Sequence, residues 1–226
     1  MPFEENIIRA RDINNAWRDA MWCCVRNGYR YRVRKGSYEG QERKQLSEVM
    51  IIIEEPWTRP LAVAVPEQLD FCSPTDEKKI HLYAYEYLLT DTKAEREDYT
   101  YGQYISQQME KLIYLLNISD GNTNQATMNV GDTQAIFLDD PPCLRVVSFK
   151  VLPGTPPQLQ MSVFFRSWDI FAGFPENIGG LQLLKEYILM HLNFEIADGP
   201  IIAYSDGLHI YEQYYDLVNK LNVDKI

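Results

Sequence analysis

Phe165-Arg166-Ser167-Trp168-Asp169-Ile170-Phe171-Ala172-Gly173-Phe174-Pro175-Glu176-Asn177-Ile178 ends one extended run and leads into a helical one, and its first residues decide how the middle of the chain folds. Upstream, Pro141-Pro142-Cys143 precedes another extended run, Leu144 to Val151. The run that ends at Arg166 begins near Leu159, and Pro153-Gly154-Thr155-Pro156-Pro157 between the two is a turn by composition. The runs are therefore predicted to pair as a hairpin. With strands about 4.8 Å apart, the open end of that hairpin makes Cys143 and Arg166 neighbours. A free thiol titrates near about 8.5, and an adjacent guanidinium favours the thiolate, so Arg166 is expected to lower the pKa of Cys143.

Working outward, Ile13, Ala16, Trp17, Ala20, Met21 and Cys24 recur at the spacing of one helix face, with a stop at Asn27-Gly28. Tyr29 to Arg34 alternates like an edge strand. Val49 to Ile53 is a continuous β-branched run ended by Pro56, the pattern of a strand buried on both faces. Ile80 to Leu89 and Gly102 to Asn117 read as helices and Gln125 to Val130 as extended. After Pro175 a helix is predicted to about Leu192, then a short strand at Ile201 to Tyr204 and a last helix from about Tyr211 to Leu221. The expectation is an α/β (α+β) fold, a mixed β-sheet covered by helices, in one domain over residues 1–226.

With 226 residues and 46% hydrophobic, the chain can bury a sizeable core. A net charge of −10, spread along the sequence, argues against a nonspecific grip on nucleic acid or an anionic membrane. Met1-Pro2-Phe3-Glu4-Glu5 lacks the basic flank and apolar run of a leader, and no stretch reaches the roughly 18 apolar residues of a membrane span. Cys23, Cys24, Cys72 and Cys143 show no Cys-x-x-Cys spacing, so neither a zinc site nor a disulfide scaffold is expected, and a cytoplasmic location with reduced thiols is.

A cysteine after proline followed by Arg-Ser-x-Asp and Gly-x-Pro-x-Asn-Ile resembles the thymidylate synthase family, and the compact Pro-Pro-Cys-Leu-Arg and Phe-Arg-Ser-Trp-Asp pattern is similar to its archaeal, methanogen-type branch. The resemblance is strong over about residues 140–215 and faint before residue 95. It implies a thymidylate synthase/dCMP hydroxymethylase-like fold, a homodimer, and methylation of dUMP to dTMP. The Cys143 thiolate would add to C6 of the uracil ring, with methylene-tetrahydrofolate or methylene-tetrahydromethanopterin as carbon and hydride donor and no metal. Arg166 and Ser167 then match the phosphate-binding pair, with Arg43 as a second phosphate arginine from the N-terminal region. Asn177 matches the residue that reads the uracil edge with its carboxamide. His209 and Tyr211 match the His-x-Tyr pair on the ribose hydroxyl, Asp169 and Gly173 the pterin contacts, and Tyr101 and Glu86 the water network for proton removal at C5. Against these stand plainer readings: Cys143 as a small buried hydrophobe, Asn177 as a helix cap, Glu86 on a solvated helix face.

Several positions depart from the pattern. Leu144 replaces the histidine that follows the nucleophile, Thr123-Asn124-Gln125 stands where two arginines cross the dimer, and Trp168 and Glu176 change the wall of the carrier site. Two alternatives therefore stay open: a pyrimidine nucleotide hydroxymethylase acting on dCMP or CMP, and an inactive nucleotide-binding homologue.

Overall fold

Asp12 starts the first helix, α1 (Ile13–Asn27), by accepting a hydrogen bond from the Asn15 amide at 2.9 Å, which satisfies one of the free donors of the first turn. The predicted stripe from Ile13 to Cys24 is buried. In this computed structural model, which describes residues 6–35, 38–93 and 98–222, α1 packs against both sheets. The acidic start Met1 to Glu5 lies outside the described residues, as does 94–97 in the span between Glu86 and Tyr101.

The larger sheet has six strands in the order β1 (Ile7–Ala10), β4 (Val49–Ile53), β9 (Ala197–Ser205), β7 (Gln158–Phe165), β6 (Leu144–Leu152) and β5 (Thr127–Asn129). It is mixed: β1 with β4 and β7 with β9 run parallel, the other pairs antiparallel. The smaller sheet orders β2 (Tyr29–Arg32), β3 (Glu42–Leu46), β10 (Leu208–Tyr211) and β8 (Trp168–Asp169). The hairpin forms as the turn chemistry requires, with Leu144 opposite Phe165, so Cys143 and Arg166 lie at its open end, where the Arg166 amide donates to the Cys143 carbonyl at 2.9 Å.

Several expectations need correction. Val49, Ile51 and Ile53 are buried, but Met50 and Ile52 are only half-buried, because helices cover one face of the large sheet. The other face also carries the half-exposed Val146, Phe164, Ile202 and Tyr204. Helix α4 (Gly173–Leu189) starts two residues before Pro175 and stops short of Leu192; proline fits its first turn because the amide it lacks would have no intrahelical acceptor there. The last helix, α5 (Tyr215–Leu221), begins later than Tyr211, since that residue ends β10 and a short 3-10 turn follows.

The segment from Ile80 to Leu89 is not one regular helix. Helix α2 (Glu77–Tyr83) continues as a π-helical stretch over Ala84–Leu89 before α3 (Gly102–Ile118). Gly180 brings α2 close to α4: a Cβ there would fall 2.4 Å from the Tyr83 ring. The missing side chain seats Tyr83 on α4.

Near the start of β9, Lys185 of α4 is fully buried and pairs with Asp198 at 2.7 Å, also donating to the Gly199 carbonyl. Asp198 accepts further from Gln182 and from the Gly199 amide. Burial pushes the Lys185 pKa down while Asp198 opposes it. Removing one partner of a buried pair strands the other's charge. Asp198→Asn is expected to cost about 3–5 kcal/mol in urea unfolding, and Lys185→Met clearly less; equal losses would contradict this reading of the pair.

Candidate active site

Where the open end of the hairpin meets β3 and β10, a cavity of about 410 Å³ is lined by Cys143, Arg166 and Ser167 from the hairpin end and by Asp169, Arg43, His209 and Tyr211 from the small sheet. Seven of the residues singled out from sequence thus converge. Cross-strand register explains part of it: Arg43 lies opposite Tyr31 on β2 and opposite Tyr211 on β10, and directly paired residues share a face. The alternation of His209 and Tyr211 puts both on that face, with ring centroids 5.4 Å apart.

Arg166 folds back on the loop that carries the thiol. Its Nε donates to the Pro142 carbonyl at 3.1 Å, and Nη2 donates to the Pro141 carbonyl and to Asp140 at 3.2 Å. The expected drop in the Cys143 pKa does not appear. Burial pushes the thiol up, Arg166 opposes it, Asp140 adds to it and Arg43 opposes it, with a net rise. The guanidinium is shared with two carbonyls and a carboxylate, so desolvation prevails.

Arg43, expected to come from the N-terminal region, is on β3. Its guanidinium covers the Tyr31 ring at 4.8 Å, and among the described residues its buried Nε has no hydrogen-bond partner. Burial and the positive charge of Arg43 lower the His209 pKa to about 4. The ring is thus neutral near pH 7, and Nδ1, 2.9 Å from the Gly207 carbonyl, carries the proton. Nε2 is left as an acceptor. Burial raises Asp169 to about 6, although the amides of Phe171 and Ala172 and the charge of Arg43 pull it down.

Asn177 does not line this cavity. It projects from α4 with Oδ1 accepting from the Trp168 indole at 2.9 Å and Nδ2 donating to the Tyr83 hydroxyl at 2.9 Å, so it is no helix cap. A Cβ on Gly173 would stand 3.6 Å from Asn177 Oδ1 and 3.7 Å from the Asp169 Cβ, which places these three together. Tyr101 is buried beside the start of β6, accepting from the Leu144 amide at 3.3 Å, and burial followed by the neighbouring Cys143 raises its phenol well above the ordinary range. The structure does not bring Glu86 in: its side chain is exposed on the π-helical stretch. Leu144 fills the core. Thr123, Asn124 and Gln125 lie near Lys150 and Pro153, towards the turn end of the hairpin and away from Cys143.

Tyr31, Val33, Lys35, Tyr38, Asp139 and Asp140 also line the cavity and were not singled out. The alternation of Tyr31 and Val33 within the run from Tyr29 to Arg34 was a usable signal, since it faces them one way. Asp139 and Asp140, directly before Pro141-Pro142-Cys143, carried a signal too: carboxylates beside a candidate thiol.

The sequence model of the thymidylate synthase family matches residues 83–224, more than half of the chain. The chain belongs to the thymidylate synthase family. It is 26% identical over 221 residues to a protein of Methanococcoides burtonii named "Putative thymidylate synthase", covering 95% of this chain and 94% of that one. A protein of Methanopyrus kandleri with the same name is 23% identical over 92% of this chain and 93% of its own length. A "Thymidylate synthase" of Buchnera aphidicola is 28% identical over 120 residues, 53% of this chain and 43% of that relative. The α/β fold with mixed sheets fits a thymidylate synthase domain. Among the described residues no helix is long and apolar enough to cross a membrane, and no cluster of three or more histidine, cysteine or acidic side chains is placed to hold a metal ion.

In this thymidylate synthase-family site the charge neighbours of the thiol are separable. Asp140→Asn removes a negative charge beside Cys143 and frees Arg166, so the pH midpoint of Cys143 alkylation is expected to fall. Arg166→Gln is expected to raise it. An unchanged midpoint in both would show that neither group acts on the thiol.

Proposed function

We propose that the chain methylates dUMP to dTMP, with a methylene-tetrahydropterin of the folate or methanopterin type as co-substrate. The observation that supports it most is the meeting of Cys143, Arg166, Arg43, His209 and Tyr211 in one cavity. A cavity of this size and polarity suits a nucleotide.

In this reading Arg166, Ser167 and Arg43 hold the phosphate, using guanidinium donors that are free or freed when Asp140 is displaced. The Nε2 acceptor of His209 and the Tyr211 phenol take the ribose hydroxyl, and Asn177, which lies outside the cavity lining but near its wall residue Asp169 across Gly173, reads the edge of a base that reaches past that wall. Cys143, as thiolate, forms a bond to C6, and the electron pair displaced from the C5–C6 double bond makes C5 a nucleophile. The proton later lost from C5 goes to water oriented by the Tyr101 hydroxyl, which its environment keeps protonated. The reduced pterin would supply a one-carbon unit to C5 and then a hydride to that carbon, and the C5–C6 double bond re-forms as the Cys143 thiolate leaves C6. Asp169 and Gly173 would hold it: a buried carboxylate at the cavity wall suits the amidine-like edge of a pterin, and the bare glycine beside it leaves room. Glu86 is given no part.

The contiguous core from Ile8 to Leu221 supports a single domain. The half-exposed apolar face of the large sheet, with Met50, Ile52, Phe164 and Tyr204, supports a homodimer built across it. A protein of this kind would work in the cytoplasm.

Tritium release from [5-³H]dUMP, with product analysis, tests the reaction with each carrier in turn. Release with dTMP formation is expected for at least one carrier, reduced roughly 10³-fold or more in Cys143→Ala. Hydroxymethyl product alone would make the protein a hydroxymethylase, and equal release by Cys143→Ala would remove nucleophilic catalysis from either reaction.

A further inference from the structure

The orientation of the Asn177 carboxamide is fixed from one side only. Its oxygen faces the Trp168 indole and its nitrogen faces the Tyr83 hydroxyl, both at 2.9 Å. An indole N–H can only donate, whereas a phenol hydroxyl can donate or accept. Tyr83 would therefore accommodate either orientation of the amide, and Trp168 permits one. Trp168 is itself held firmly: 2% exposed, its ring stacked on Phe165 at 4.0 Å and packed against Phe174 at 4.8 Å, and its backbone amide donating to the Gly207 carbonyl at 3.1 Å.

We propose that Trp168 is the specificity-determining residue that makes this site select a uracil over a cytosine base, by locking the Asn177 amide through a donor that cannot become an acceptor. This rests on the reading of Asn177 as the base-contacting residue. With the amide locked, one Nδ2–H and one lone pair of Oδ1 remain for the base. Uracil offers the O4 carbonyl to the first and the N3–H to the second. Cytosine in the same pose presents an amino group where O4 was and a bare nitrogen where N3–H was, so the amide must turn over. Turning it over leaves Oδ1 content with Tyr83 but sets Nδ2–H against the indole N–H, two donors facing each other in a buried place. A clash of this kind is expected to be worth roughly ten- to a hundredfold in affinity.

Trp168→Phe deletes the donor and keeps an aromatic ring between Phe165 and Phe174, so the amide is released. Dissociation constants for dUMP and dCMP, measured by calorimetry on the full chain without pterin, read the effect directly. The wild type is expected to favour dUMP by at least about tenfold, and Trp168→Phe to bring the two within about threefold, mainly by gaining affinity for dCMP. Tyr83→Phe is expected to keep the preference for dUMP. A wild type that selects dUMP alongside a Trp168→Phe protein that selects it equally would overturn the lock and leave the proposed reaction standing. A wild type that binds both alike, or prefers dCMP, would also overturn it. Binding of neither nucleotide would remove the proposed substrate and the lock together. Should Trp168→Phe not fold, the Trp168 indole N–H of the wild type serves: slow hydrogen exchange that becomes fast in Asn177→Ala supports the lock, and exchange as fast as at an exposed indole overturns it.

Discussion

The clasp at the open end of the β6–β7 hairpin is the contact on which the rest of the site depends. Backbone pairing brings the Arg166 amide to the Cys143 carbonyl, and the guanidinium then closes over the carbonyls of Pro141 and Pro142. Two successive prolines have no amide hydrogens to satisfy, so the carbonyls are what the loop has to offer, and Arg166 is the donor that meets them. The position of Cys143 is thereby set from two strands at once. The same end of the hairpin continues into β8, which pairs with β10 and so carries Asp169 alongside His209.

The clasp has an electrostatic consequence. A guanidinium committed to carbonyls and to Asp140 gives the thiol only part of its field, and a thiol in a part-buried loop is left above its ordinary pKa. Any anion arriving at Arg166 would meet Asp140 as a competitor, so the occupancy of that guanidinium and the protonation of Cys143 are linked through one shared group. Arg43 stands on the strand next to His209 in the small sheet, and burial first, then the charge of Arg43, keep His209 neutral. The site is thus divided between two sheets, with acidic and acceptor groups distributed around two arginines.

Much of this was legible in the residues because it is carried by strongly patterned elements. The Pro-Gly-Thr-Pro-Pro turn fixes the hairpin, the hairpin fixes Cys143 against Arg166, and period-two alternation fixes His209 with Tyr211. What was not legible depends on phase and on sums of opposing effects. Over Ala84–Leu89 the chain runs as a π-helix, whose i to i+5 bonding shifts side chains off the faces that a 3.6-residue period assigns. Glu86 accordingly faces water, and the inward phenol is Tyr83, one helical turn earlier on α2. The partners of Asn177 come from residues 83 and 168, a pairing made by the crossing of α2 on α4 at Gly180 rather than by any local pattern. The direction of the Cys143 shift depends on burial exceeding charge, which requires knowing where the Arg166 donors go.

The direct test of a nucleophile poised by the clasp is the mass of the Cys143 peptide after incubation with 5-fluoro-dUMP and a methylene-tetrahydropterin of either type. Nucleotide and carrier are expected on Cys143 and not on the exposed Cys72. An unmodified Cys143 in protein saturated with 5-fluoro-dUMP and carrier would contradict it.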